Sequence, residues 1–160
     1  MSFALCVFCG SALGARPEYA DAARAVGTEI GRRGWTLVYG GGRVGLMGVL
    51  ADAAAAAGAT IVGVIPRFLF ELEVAHPGLS SLEVVETFAE RKQRMADLSD
   101  AFLSLPGGVG TMDELFEAWS WTHARLQSKP SGLLNVAGYY DALLEFIDTM
   151  EREQLLYPVS

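Results

Sequence analysis

The chain has 160 residues, 51% of them hydrophobic, with 12 Lys+Arg against 19 Asp+Glu and a net charge of −7. That size supports one domain, 1–160, with a sizeable core, and that charge argues against a nucleic-acid or anionic-membrane partner, since both need a basic face. No apolar run approaches the roughly 20 residues of a membrane span and Met1-Ser2-Phe3 lacks a basic leader, so a soluble cytoplasmic protein is expected.

Strand-like apolar runs alternate with helix-like stretches along the chain. The pattern predicts an α/β fold of Rossmann-like, doubly wound type, with a mainly parallel sheet and helices on both faces. The first strand lies near Ala4–Cys9. It contains Cys6 and Cys9 in C-x-x-C spacing, but residues three apart on a strand face opposite sides, which argues against a redox or metal pair. A helix is expected from Pro17 to Arg33, with Pro17 at its first position and Gly34 at its stop. A second strand, Thr36–Tyr39, leads into Gly40-Gly41-Gly42-Arg43-Val44-Gly45-Leu46-Met47-Gly48 and an alanine-rich helix ending at Gly58. Strand three is Thr60–Ile65. Residues 67–80 read as a loop with at most a short helical piece, followed by a strand at Leu82–Val85.

The next helix runs from Phe88 to about Leu98, and Thr87 with Glu90 has capping-box spacing. Its first turns carry Arg91-Lys92 where the helix dipole disfavours cations by about 0.3–1 kcal/mol each. Either Glu86 and Glu90 offset this on a solvated face, or Arg91 reaches across to a carboxylate or a ligand oxygen. Strand Ala101–Leu105 then runs into Pro106-Gly107-Gly108-Val109-Gly110-Thr111-Met112-Asp113-Glu114, a glycine-rich turn that opens a helix reaching about Leu126. Bare first-turn N–H groups and the positive helix end make this turn a natural seat for phosphate. Leu133–Val136 reads as the last strand and Tyr140–Gln154 as the last helix.

Three glycine-rich turns, 10–14, 40–48 and 106–111, therefore follow strands whose carboxyl ends face one crevice, where ligands of such sheets bind. The G-x-G-x-x-G at 40–45 is a poor dinucleotide fingerprint, because it follows the second strand and Ile65-Pro66-Arg67 stands where the ribose-binding acid belongs. No Gly-Lys-Ser/Thr occurs, which removes a Walker A loop. Glu114 is ambiguous at this level: Thr111-x-x-Glu114 is itself a capping box, and equally a carboxylate at the rim of a phosphate seat. At 100° per residue, Met112, Leu115, Phe116, Trp119 and Leu126 share one stripe, the expected core face. Glu114 and Trp121 lie off it, with Trp121 an ordinary half-buried tryptophan, a stacking wall or a subunit contact. His76 and His123 lack metal-ligand spacing, and no metal or cofactor is expected. The two lysines are Lys92 and Lys129, which leaves Lys92 alone to carry any pyridoxal-phosphate chemistry.

Gly107-Gly108-Val109-Gly110-Thr111 with Glu114, preceded by Arg91-Lys92, resembles the P-G-G-x-G-T-x-x-E signature of the Lonely Guy (LOG) family. Those proteins are cytokinin riboside 5′-monophosphate phosphoribohydrolases, formerly mislabelled as lysine decarboxylases. Val7–Ser11, Gly40–Gly42 with Gly45–Gly48, Ile65-Pro66 and Lys129-Pro130 with Gly132–Asn135 agree with it along the chain. The resemblance implies a homodimer that hydrolyses the N-glycosidic bond of N6-modified adenosine 5′-monophosphates, or AMP, to free base and ribose 5-phosphate. It implies Arg91 and Glu114 as the catalytic pair; apart from the family, the residues themselves suit Arg91 to hold Glu114 ionised and to bind a ribose or phosphate oxygen. Expected substrate or phosphate contacts are Gly10, Ser11, Gly41, Gly42, Met47, Glu73, Arg91, Lys92, Gly107, Gly108, Val109, Gly110, Thr111, Met112, Asp113 and Ser120. Relatives also continue past Val159-Ser160 with a further strand and helix. The alternative on the same fold is a non-catalytic nucleotide or molybdenum-cofactor carrier, which needs no Arg91–Glu114 pair.

Overall fold

Residues 2–72 and 74–156 are described by a computed structural model. The elements are β1 (Ala4–Phe8), α1 (Pro17–Arg32), β2 (Thr36–Tyr39), α2 (Gly45–Ala56), β3 (Thr60–Pro66), α3 (Arg67–Glu71), β4 (Ser81–Val85), α4 (Phe88–Asp97), β5 (Ala101–Ser104), α5 (Val109–His123), β6 (Ser131–Leu133) and α6 (Asp141–Arg152). All strand pairs are parallel, in the order β4-β3-β2-β1-β5-β6. The expected doubly wound α/β class is the one observed. The chain winds outward from β1 to β4, then returns to β5 on the other side of β1. That reversal opens a crevice at the carboxyl ends of β1 and β5, the topological switch point of such sheets.

Strand residues alternate between two apolar clusters, one on each face of the sheet. Val7, Cys9, Leu37, Tyr39 and Ile61 pack with Ala23 and Ile30 of α1 and Leu46, Leu50 and Ala54 of α2. Cys6, Phe8, Val38, Val64 and Phe102 pack with Met95 and Ala96 of α4 and Ala118 of α5. The two thiols thus lie on opposite faces, both free and buried. Burial pushes both well up from the ordinary thiol range, which removes thiolate chemistry.

Several elements depart from the sequence expectations, each for a local reason. The helix after β5 starts at Val109 with Gly108 as its N-cap, so Thr111 lies inside the helix and no Thr111–Glu114 capping box forms. Thr111 is buried instead, and a Cβ on Gly107 would sit 2.0 Å from its hydroxyl oxygen. Only glycine at 107 lets that side chain tuck beneath the turn. The Thr87 cap does form, its hydroxyl accepting from Glu90 N at 3.1 Å. Glu90 reaches back one residue further than a capping box requires, accepting from Glu86 N at 2.7 Å.

The inward stripe of α5 is Thr111, Leu115 and Ala118, whereas Phe116 is 37% and Leu126 76% exposed. Of the expected stripe Met112, Leu115, Phe116, Trp119 and Leu126, Leu115 is buried as expected, whereas the face turned to the sheet runs through Thr111 and Ala118 rather than Phe116. Leu126 lies past the helix end. The last strand is Ser131–Leu133, not Leu133–Val136, because pairing with β5 ends at Ser104 opposite Leu133. Beyond it, Val136–Gly138 forms a 3-10 turn. No helix among the described residues is long and apolar enough to cross a membrane.

Candidate active site

The crevice at the switch point holds a cleft of about 590 Å³, a volume suited to a small molecule. Its floor is the end of β1 with Gly10 and Ser11, and one wall is Gly40, Val44 and Met47. Leu69, Val74 and Phe88 form an apolar second wall. The third is Gly108, Val109, Gly110, Thr111 and Glu114, with Arg91 at the base. Gly108 is the N-cap of α5 and lines this wall with Val109, Gly110 and Thr111, so the amides of the first turn, which have no intrahelical acceptor, border the cleft. These are the unpaired donors of a helix N-terminus, and they suit an anion.

Arg91 is 8% exposed and anchored by backbone. Its Nε donates to Val64 O at 2.9 Å and its Nη2 to Gly40 O at 2.6 Å. Gly40 must lack a side chain, because a Cβ would sit 2.1 Å from that Nη2. The guanidinium is therefore fixed at the ends of β2 and β3, with Nη1 left for a ligand or a carboxylate. Among the described residues it makes no direct ion pair with Glu114, although each charge favours the other.

The Glu114 carboxyl is pushed up to about 7, first by burial, and Arg91 pulls it only part of the way back. This corrects the expectation that Arg91 holds Glu114 fully ionised, because desolvation of the carboxylate outweighs attraction to a cation that does not touch it. A carboxyl poised near neutrality is suited to taking up and returning a proton.

Of the expected site residues, Gly10, Ser11, Met47, Arg91, Gly108, Val109, Gly110, Thr111 and Glu114 share the cleft. Gly41 packs behind it against Leu82 and Ile65. Gly42 pairs with Ala75 and accepts from Tyr39 Oη at 2.9 Å. Gly107 turns its carbonyl outward to Tyr139. Lys92 points the other way from Arg91, its Nζ 3.0 Å from Asp113 and 2.9 Å from Glu117. Met112, Asp113 and Ser120 line a separate depression on the outer face of α5. Glu73 lies outside the described residues. Lys129 donates to Ala96 O at 2.5 Å, so neither lysine amine lies in the cleft to form a Schiff base.

Sequence reasoning missed four contributors. Phe88 was read only as a helix start, yet its ring walls the cleft and lies 5.9 Å beneath the Arg91 guanidinium. His76, read as uninformative, ties the loop after α3 to its surroundings: its N donates to Gly41 O, its Nδ1 accepts from Gly78 N, and its Nε2 meets Asp52 at 2.7 Å. From more than thirty residues away Tyr139 bonds to the Gly107 carbonyl in the phosphate turn and Tyr140 to the Leu105 carbonyl just before it, contacts with no local signal in sequence.

Fold and site together define an α/β protein of Rossmann-like type, with a ligand cleft at the switch point and an acid beside a glycine-rich helix N-terminus. A family model described as "Possible lysine decarboxylase" matches residues 47–159. The chain is 44% identical over 156 residues to cytokinin riboside 5′-monophosphate phosphoribohydrolase LOG1 of Arabidopsis thaliana, spanning 98% of this chain and 73% of that protein. It is 45% identical over 154 residues to the probable cytokinin riboside 5′-monophosphate phosphoribohydrolase LOGL6 of Oryza sativa subsp. japonica, covering 96% of this chain and 62% of that one. Among solved structures it resembles the Moco carrier protein of Chlamydomonas reinhardtii, with a TM-score of 0.71 and 21% identity over 93% of this chain and 86% of that chain, a likeness of fold alone. The chain belongs to the LOG family.

Proposed function

We propose that this chain is a phosphoribohydrolase that cleaves the N-glycosidic bond of N6-modified adenosine 5′-monophosphates, and possible substrates extend to AMP, releasing the base and ribose 5-phosphate. The observation that carries the reading is Glu114, poised at about 7, in one cleft with the first-turn amides of α5. The 44% identity to a named phosphoribohydrolase, against 21% to a carrier, favours hydrolysis over cofactor carriage.

In this reading the 5′-phosphate sits on the amides of Gly108–Thr111, and its binding energy holds the ribose against the acid. The C1′–N9 bond breaks with its electron pair leaving on the base, through an oxocarbenium-like ribose, as in glycoside hydrolysis. Water supplies the new C1′–O bond. Ionised Glu114 stabilises the developing cation and accepts one proton from that water; the departing base takes up one proton from solvent and Glu114 then releases its own to solvent, so atoms and charge balance. Arg91 keeps enough of Glu114 ionised near pH 7 and offers Nη1 to a ribose or phosphate oxygen. The wall of Leu69, Val74 and Phe88 receives the apolar base. Lys92, Asp113, Met112 and Ser120 contribute from the outer face of α5 only within a homodimer, which we include in the proposal along with a cytoplasmic location. The exposed Phe116 supports that interface.

Incubation with AMP and with isopentenyladenosine 5′-monophosphate, followed by chromatography, is expected to show free base and ribose 5-phosphate. Release of base from neither nucleotide overturns the reading.

A further inference from the structure

The geometry points to Tyr139 as a positioning residue that aims a phosphate-binding amide into the cleft. This rests on the proposed reading only in taking the turn as a phosphate seat. The Tyr139 hydroxyl donates to the carbonyl of Gly107. No peptide bond in the described chain is cis, and in a planar trans peptide the N–H points opposite to the C=O. Tyr139 is not among the residues that line the cleft, so a Gly107 carbonyl held toward it leaves the Gly108 N–H directed to the opposite side, where Gly108 borders the cleft. Gly108 lines the cleft, and its N–H has no acceptor among the described residues. Gly107 and Gly108 carry no side chains to resist rotation of this peptide plane, so an outside anchor has to fix it.

The anchor is itself held. The Tyr139 ring meets Tyr19 of α1 edge-on at 5.5 Å and Tyr140 at 5.0 Å, which sets the direction of its hydroxyl. Tyr140 supplies an internal control. Its hydroxyl donates to Leu105 O at 2.5 Å, two residues earlier in the chain. The next residue is Pro106, so that peptide has no N–H to aim. Two neighbouring tyrosines thus make the same kind of bond to carbonyls two residues apart, and only one of them orients a donor.

The test compares Tyr139→Phe with Tyr140→Phe by calorimetric titration with ribose 5-phosphate, together with KM and kcat on AMP and binding of adenosine. Tyr139→Phe is expected to weaken ribose 5-phosphate about five- to tenfold, the worth of one hydrogen bond. It raises KM for AMP by a similar factor, keeps kcat within about twofold and leaves adenosine binding unchanged. Tyr140→Phe is expected to lower the melting temperature while keeping the ribose 5-phosphate affinity. Unchanged affinity in Tyr139→Phe, an equal loss in Tyr140→Phe, an equal loss for adenosine, or no binding of ribose 5-phosphate by the unaltered protein each overturns the assignment. The titration needs no turnover. A chain that releases no base but shows the Tyr139-specific loss sinks the hydrolase reading and keeps this one.

Discussion

The two sides of α5 treat the same pair of charges in opposite ways. On the outer side Lys92 makes direct ion pairs with Asp113 and Glu117, and its own pKa rises. On the inner side Arg91 and Glu114 share a cleft without touching, and burial drives the carboxyl up to about 7. Arg91 and Lys92 are adjacent in sequence, and neighbouring helix positions are about 100° apart, so one turns in and the other out. Direct contact gives a clamp between α4 and α5. Proximity without contact in a drier place gives a titratable acid.

The largest expected effect separates Glu114 from Glu117. Glu114→Gln is expected to lower kcat by about a hundredfold or more, the range of a lost acid–base group, while Glu117→Gln stays within about threefold. In the unaltered protein kcat/KM is expected to rise with pH to a plateau, with an apparent pKa of about 7 set by Glu114. A flat profile, or a Glu117 variant as impaired as Glu114→Gln, breaks the contrast.

Arg91→Met comes next. It leaves the Gly40 and Val64 carbonyls without their buried donor, at an expected cost of roughly 3 kcal/mol by chemical denaturation. It also removes the attraction that lowers Glu114, so the acid limb of the pH profile moves upward.

A comparable effect is expected from Glu114 on stability, with a definite sign. Its folded pKa, about 7, lies above the ordinary carboxyl value of 4.5. Its favourable contribution is therefore full below about pH 4.5 and is lost as pH rises through 7. Glu114→Gln is expected to stabilise the empty protein at pH 9 by roughly 2–3 kcal/mol and to change nothing at pH 4. Equal melting shifts at both pH values contradict this.

The smallest effect belongs to the outer clamp. Lys92→Met is expected to cost less than about 1 kcal/mol, since Asp113 is 55% exposed and such pairs are weak and screened by salt. The cost is expected to shrink in 1 M NaCl. A loss of activity as large as that of Arg91→Met would show that the outer side does more than clamp.

Much of the fold was legible because periodicity and punctuation are local. β2 at Thr36–Tyr39 was placed to the residue, and α1 and β3 within one, from apolar runs bounded by proline and glycine. The errors fall where tertiary contact overrides local pattern. Leu133–Val136 is more strand-like than Ser131–Leu133, but pairing depends on where the neighbour ends. The Thr111 capping box failed because Thr111 is used to fill space under Gly107.

Sequence by itself determined the alternation of strands and helices, the three glycine turns, and the residues brought to the crevice at 10–11, 47, 91, 108–111 and 114. These follow from hydrophobic period, from backbone freedom at glycine and from the rule that such turns gather at the carboxyl edge. Only the tertiary structure decided that Arg91 is held by Val64 and Gly40, that Lys92 faces away, and that Tyr139 reaches the phosphate turn. It also decided that Glu114 titrates near neutrality. Burial and orientation are sums over residues distant in the chain, and a linear motif carries neither.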